Sequence, residues 1–175
     1  MSMSPSRGWH AAGVLSAVLA CVGCYESRFP IDPQPQADVG QGIMGIWRCV
    51  PNDGRPTERP ATITFVPSAG RALAVTFQED GKEADHYEAY ASLVSGERVF
   101  NTRDLAGGGK PWVFMRYVLL RPTVLQLELL NGETLEEQDS PSGLRAAIER
   151  LQGRADAYID FCVCARTRSE ESSEK

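Results

Sequence analysis

The chain has 175 residues, 42% of them apolar, which is enough for one domain with a sizeable core and too few for two. Its formal net charge of −5 is spread over both signs, without the basic stripe that phosphate contacts require, so composition speaks against a nucleic-acid partner.

The first 24 residues stand apart, since Arg7 is their one charged side chain and Trp9 to Gly23 carries none. This layout predicts a secretory signal over residues 1–23. Its apolar run of about 12 to 15 residues falls short of the roughly 20 that a helix needs to cross hydrocarbon. The run ends in Cys21-Val22-Gly23-Cys24. A redox Cys-x-x-Cys follows a strand and opens a helix whose dipole lowers the thiol pKa, and no strand pattern precedes this pair. A zinc site needs two more ligands, and the downstream Cys162-Val163-Cys164 is spaced too tightly and has no histidine nearby.

What the segment resembles is the lipobox of bacterial lipoproteins: an apolar run, small residues, then a cysteine. The resemblance implies diacylglycerol on that sulfur and cleavage on its N-terminal side, so that the membrane is a partner through an N-terminal lipid. Two registers stay open. Val18-Leu19-Ala20 precedes Cys21, and Cys21-Val22-Gly23 precedes Cys24; the polar Tyr25-Glu26-Ser27-Arg28 directly after favours Cys24. The residue after the cysteine, Tyr25 or Val22, is not Asp, which by the same resemblance implies an outer-membrane lipoprotein facing the periplasm or the cell surface.

Residues 24–42, with three prolines and three glutamines after Cys24, show neither helical nor strand period and predict an extended lipidated tether. The folded domain is expected over 43–168, followed by a disordered charged tail at 169–175. Eight short segments rich in β-branched and aromatic residues lie in that domain: Ile43–Val50, Ala61–Val66, Ala72–Gln78, His86–Leu93, Arg98–Thr102, Trp112–Leu120, Thr123–Leu130 and Tyr158–Ala165. Turn chemistry separates them, including Asp80-Gly81, Ser95-Gly96 and Asn131-Gly132, and connections this short predict antiparallel pairing. Trp112 to Leu120 is apolar on both faces apart from Arg116, so it must be covered twice; Arg116 then seeks a carboxylate such as Glu88 or Glu128.

One helix is expected before the last strand, where Leu144, Ala147, Ile148 and Leu151 line one face. Ser140 or Ser142 caps it, Pro141 suits its first turn and Gly153 ends it. The fold class that follows is mainly β: a small up-and-down antiparallel barrel of about eight strands, because closure removes the unpaired edges of an open sheet. A curved open antiparallel sheet packed on the helix is the alternative. Gly45-Ile46-Trp47 resembles the Gly-x-Trp that opens lipocalin-like barrels, and the resemblance implies a Trp sealing one end of the cavity.

A disulfide from Cys49 to Cys164, or alternatively to Cys162, is compatible with a secreted barrel whose first and last strands are neighbours; three separate thiols are the competing arrangement. Side-chain parity opposes the bridge. Trp47 and Cys49 share a face, whereas inward Ile159, Phe161 and Val163 would turn Cys162 and Cys164 outward, unless a bulge or a barrel-end position intervenes.

Catalytic residues, metals and cofactors are not expected. His86 is the one histidine after the signal, no Gly-x-Ser-x-Gly elbow occurs, and the glycine run before Lys110 fails as a phosphate loop because Pro111 stands where Ser or Thr belongs. Glu136, Glu137 and Asp139 lack calcium-loop spacing. The expectation is therefore a non-enzymatic binding protein, holding a small apolar ligand in a pocket of Trp47, Phe77, Tyr90, Phe114 and Arg116, or an envelope protein at its rim. The alternative is a structural or assembly lipoprotein with a filled barrel docked to an envelope complex.

Overall fold

The computed structural model describes residues 23–52, 59–106 and 111–167. Cys21, nearly all of the expected signal and the 169–175 tail lie outside them. The described chain forms β1 (Glu26–Ser27), β2 (Gly45–Pro51), β3 (Ala61–Pro67), β4 (Leu73–Glu79), β5 (Asp85–Val94), β6 (Glu97–Asp104), β7 (Trp112–Arg121), β8 (Val124–Leu130), α1 (Pro141–Leu151) and β9 (Tyr158–Arg166).

Strands β2 to β9 pair with their neighbours in sequence, all antiparallel, and β9 returns to pair with β2, which closes an eight-stranded up-and-down barrel. The expected fold class is borne out. Each of the eight segments read as a strand overlaps one barrel strand; where apolar and polar residues alternate, one face meets the core and the other the solvent. In β4, Leu73 and Val75 point in and are buried, while Ala74 between them is exposed. Gly45 opens β2 with φ 114, and a Cβ there would stand 3.1 Å from Nη1 of Arg166, so glycine is required both by the backbone and by the neighbour.

Two apolar clusters result. One fills the barrel around Trp47, Phe65, Leu73, Leu125 and Leu127. The other lies outside the wall, where Tyr90, Val99, Phe114 and Leu130 meet Leu144, Ile148 and Leu151 of α1. Ser140 caps the helix by accepting a hydrogen bond from the Gly143 N–H at 3.2 Å, Pro141 occupies its first turn, and Gly153 (φ 76) follows its end. The first half of β7 is thus covered on both sides. Its second half is not: Val118, Leu119 and Leu120 stand exposed on the hairpin to β8.

The expected tether is corrected. Residues 24–42 form no free spacer but a strap fastened to the barrel, and Tyr25, Ile31 and Val39 are each buried along it. Its start extends the wall, with β1 pairing to Val113 and Trp112 of β7 and the Tyr25 N–H donating to the Leu130 carbonyl at 2.8 Å. Its middle crosses β5 and β6, where the Ile31 N–H donates to Oδ1 of the buried Asn101 at 2.7 Å and the Tyr90 hydroxyl donates to the Asp32 carbonyl at 2.6 Å. Its end turns under the barrel, where Val39 and Ile43 join the inner cluster. Sparse apolar residues suffice because each meets a ready-made site, and the backbone's polar groups find partners on the barrel.

Candidate functional site

The two ends of the barrel differ. At one, Trp47 is fully buried and its Nε1–H donates to the Ile43 carbonyl at 2.7 Å, while the Arg166 guanidinium lies 4.3 Å from its ring centroid and donates to the carbonyls of Gly42 and Met44, each at 2.6 Å. The Tyr117 hydroxyl donates to the Val39 carbonyl at 2.9 Å. This end is plugged by the strap.

Toward the other end the interior is hollow. A cavity of about 210 Å³ lies between the β3–β5 and β6–β8 walls, lined mainly by apolar side chains such as Ile63, Phe65, Phe77, Phe100, Met115 and Leu129. Cys24, half-buried, stands at its mouth, where the strap begins beside Asn131. Polar groups enter the lining only from a few positions. Register brings Glu26, Val113 and Thr102 onto one rung of the wall, and Asp104 and Tyr87 onto the next, with Asp85 one inward position further along β5.

No family model, curated protein or solved structure matches this chain.

Of the residues expected to form a pocket, Phe77 lines the cavity. The other four do not. Trp47 belongs to the packed floor near the plugged end rather than to the cavity wall. Tyr90 and Phe114 face outward under α1, because on β5 and β7 both faces are apolar and it is Ala89, Ala91, Val113 and Met115 that turn in. Arg116 also points outward. It is ion-paired with Glu128, lies 4.1 Å from the ring centroid of Tyr158, and lines a separate cleft of about 200 Å³ between the wall and the end of α1. Burial pushes the Tyr158 hydroxyl up to about 12, against the opposing pull of Arg116.

Sequence reasoning did not single out Glu26, Asp85, Thr102 and Asp104. A parity argument was available for two of them, since an inward Phe100 requires an inward Thr102 and then Asp104. Glu26 had no such signal, because nothing in the strap's own composition marks β1.

The cysteines form a second cluster. Cys49 and Cys164 are directly opposite on β2 and β9 and are bridged, with Sγ atoms 2.04 Å apart. Cys162 is buried beside them, its Sγ 3.6 Å from that of Cys164, and burial pushes its thiol up to about 12. The parity conflict is resolved by a bulge. Leu127 pairs with Cys162 and Glu128 with Asp160, so Phe161 is an extra residue that lets Phe161, Cys162 and Cys164 all face inward. Among the described residues these three sulfurs are the only convergence of three metal-ligating groups, and two are joined to each other. His86 is exposed on β5, with Nδ1 3.4 Å from the Thr76 hydroxyl.

Proposed function

We propose that this protein is a lipid-anchored, non-catalytic binding protein of the bacterial envelope that holds a small apolar ligand in its barrel. The observation carrying this reading is the apolar cavity of about 210 Å³, open beside Cys24, in a barrel whose other half is solidly packed. Such a wall offers an apolar guest release from water over most of its surface, at roughly 25 cal/mol per Å² buried.

The strap gives the anchor a consequence that a loose tether lacks. A diacylglyceryl group on Cys24 holds the cavity mouth against the bilayer, because the next residue, Tyr25, is already part of the wall. Ligand then passes between lipid and barrel without crossing bulk water. Among the described residues no helix is long and apolar enough to cross a membrane, so the acyl chains provide the attachment in this reading. A second reading, a docking lipoprotein of an envelope complex, is favoured by the exposed Val118, Leu119 and Leu120 at the opposite end.

Intact-mass spectrometry of the full chain extracted from membranes tests the anchor, and displacement of a bound neutral dye, N-phenyl-1-naphthylamine, tests the cavity. The expected mass is that of a polypeptide starting at Cys24 with added acyl groups. An uncut, unmodified mass overturns the anchor; a dye that never binds overturns the ligand-binding role.

A further inference from the structure

The strap contributes to both ends of the cavity. Glu26 lies at the mouth, and Ile43, in the single 3-10 turn Gln41–Ile43, enters the barrel from the opposite end and lines the same space. The barrel's own next inward residues toward that end, Leu73, Ala91, Tyr117 and Leu125, do not line the cavity and pack into the interior behind it. Among the described residues, Ile43 therefore closes the bottom of a well whose lowest wall is Phe65, Ala89 and Phe100.

This floor is fixed in place. Three successive carbonyls of the strap are tied to the barrel: those of Gly42 and Met44 accept from Arg166, each at 2.6 Å, and that of Ile43 accepts from the Trp47 Nε1–H at 2.7 Å. The Ile43 side chain is buried, and Trp47 is fully buried with it in the inner cluster. A guest long enough to push Ile43 aside would have to break buried hydrogen bonds on both sides of it, so the floor resists displacement.

Depth and volume agree on what the well holds. From Asp85 to Ala89 along β5, at about 3.4 Å per residue on a strand tilted about 40° to the barrel axis, it is roughly 10 Å deep. An extended hydrocarbon advances about 1.3 Å per carbon, given C–C bonds of about 1.5 Å, so about eight carbons span that depth. The volume of about 210 Å³ holds roughly seven methylene-sized groups at about 30 Å³ each.

We infer that Ile43 is a specificity-determining residue, the stop of a length-gauged well: the barrel takes the tail of a medium-chain amphiphile, about eight carbons deep, and gains nothing from a longer chain. The inference rests on the ligand-binding reading above and is independent of the lipid anchor. The charged residues of the lining, Glu26, Asp85 and Asp104, lie toward the mouth and the wall near the floor is apolar, so the guest's polar end stays outward. Each methylene that enters the well exchanges water for apolar wall, whereas each one left beyond the mouth stays in water. A sixteen-carbon acyl chain leaves about half its length outside.

The experiment titrates the full chain with straight-chain alcohols from butan-1-ol to dodecan-1-ol by isothermal calorimetry. Titrations at about 15 °C and about 35 °C guard against a vanishing heat at one temperature, because burial of apolar surface makes the heat strongly temperature-dependent. Affinity should tighten about fourfold per added carbon up to octan-1-ol, within about one carbon, and change by less than about twofold from there to dodecan-1-ol. Ile43→Ala lowers the floor and keeps its carbonyl, so the break should move out by about two carbons. The milder Ile43→Val should move it by about one, which keeps the role testable if the alanine variant does not fold. An affinity that climbs unbroken to dodecan-1-ol overturns the length gauge and leaves apolar binding intact. A break that stays at octan-1-ol in the folded variants overturns the assignment to Ile43. If no alcohol binds, this inference and the ligand-binding reading fall together.

Discussion

The Arg166 guanidinium lies 4.3 Å from the ring centroid of Trp47 while donating to the carbonyls of Gly42 and Met44. One side chain from the last strand therefore covers the buried Trp and ties down the end of the strap. Arg166→Ala removes two charge-assisted hydrogen bonds and a cation–π contact, for an expected loss of about 2 to 4 kcal/mol. Arg166→Lys should recover less than half of it, since an ammonium cannot span both carbonyls from the plane of the ring. Urea denaturation of the variants measures the difference.

The Cys49–Cys164 bridge spans 115 residues of sequence. In the chain-entropy account, closing a loop of that length stabilises the fold by about 4 to 5 kcal/mol. Replacing both cysteines with alanine should lower the denaturation midpoint accordingly, with little change in its slope beyond that expected for a more expanded unfolded chain. A midpoint shift near zero would contradict the entropic account.

Burial raises the Cys162 thiol to about 12 and the Tyr158 hydroxyl to about 12. A group whose pKa is higher folded than unfolded contributes fully below its unfolded value and loses that contribution as pH rises toward the folded one. Stability should therefore be flat to about pH 8, then fall by up to about 1.4 kcal/mol per pH unit from Cys162 alone, and more steeply once tyrosine begins to ionise. Cys162→Ala should delay the onset by about one pH unit, measurable by denaturation at fixed pH steps.

Asn101 is fully buried and uses both ends of its amide: it accepts from the Ile31 N–H and donates to the Tyr90 carbonyl and the Ser92 hydroxyl. Asn101→Ala strands these partners and should cost about 2 to 3 kcal/mol. The more specific sign is location. Limited proteolysis of this variant should open first within residues 28–40, whereas the parent chain should resist cleavage there.

Thr102→Val keeps the shape of the side chain while removing the unpaired hydroxyl. Without ligand the variant should be more stable by about 1 kcal/mol. A destabilised variant would mean that the hydroxyl is satisfied in solution.

Much of the fold was legible because β-strands and amphipathic helices announce themselves locally. Leu73, Val75 and Phe77 alternate with Ala74 and Thr76, and Leu144, Ile148 and Leu151 follow the helical period with Ser140 and Pro141 at its start. The pocket was much less legible. Tyr90 and Phe114 looked as suitable for an interior as Phe77, yet they pack beneath α1. The strap was misread for the converse reason: its few apolar residues are too widely spaced to show a period, and each is buried by a different part of the barrel.

The sequence by itself determined that eight pleated segments and one capped helix would form, and that their order suits a closed sheet, since alternation, turn residues and caps act over a few positions. Only the tertiary structure decided which apolar face turned inward, that the bulge at Phe161 would bring Cys162 and Cys164 to the side of Cys49, and that the strap would add Glu26 to the wall beside Val113 at a hollow mouth. Those outcomes depend on pairing register and on surfaces far apart in the chain. Alternation distinguishes two faces of a strand; it takes the closed barrel, with a helix on one side, to say which face encloses the cavity.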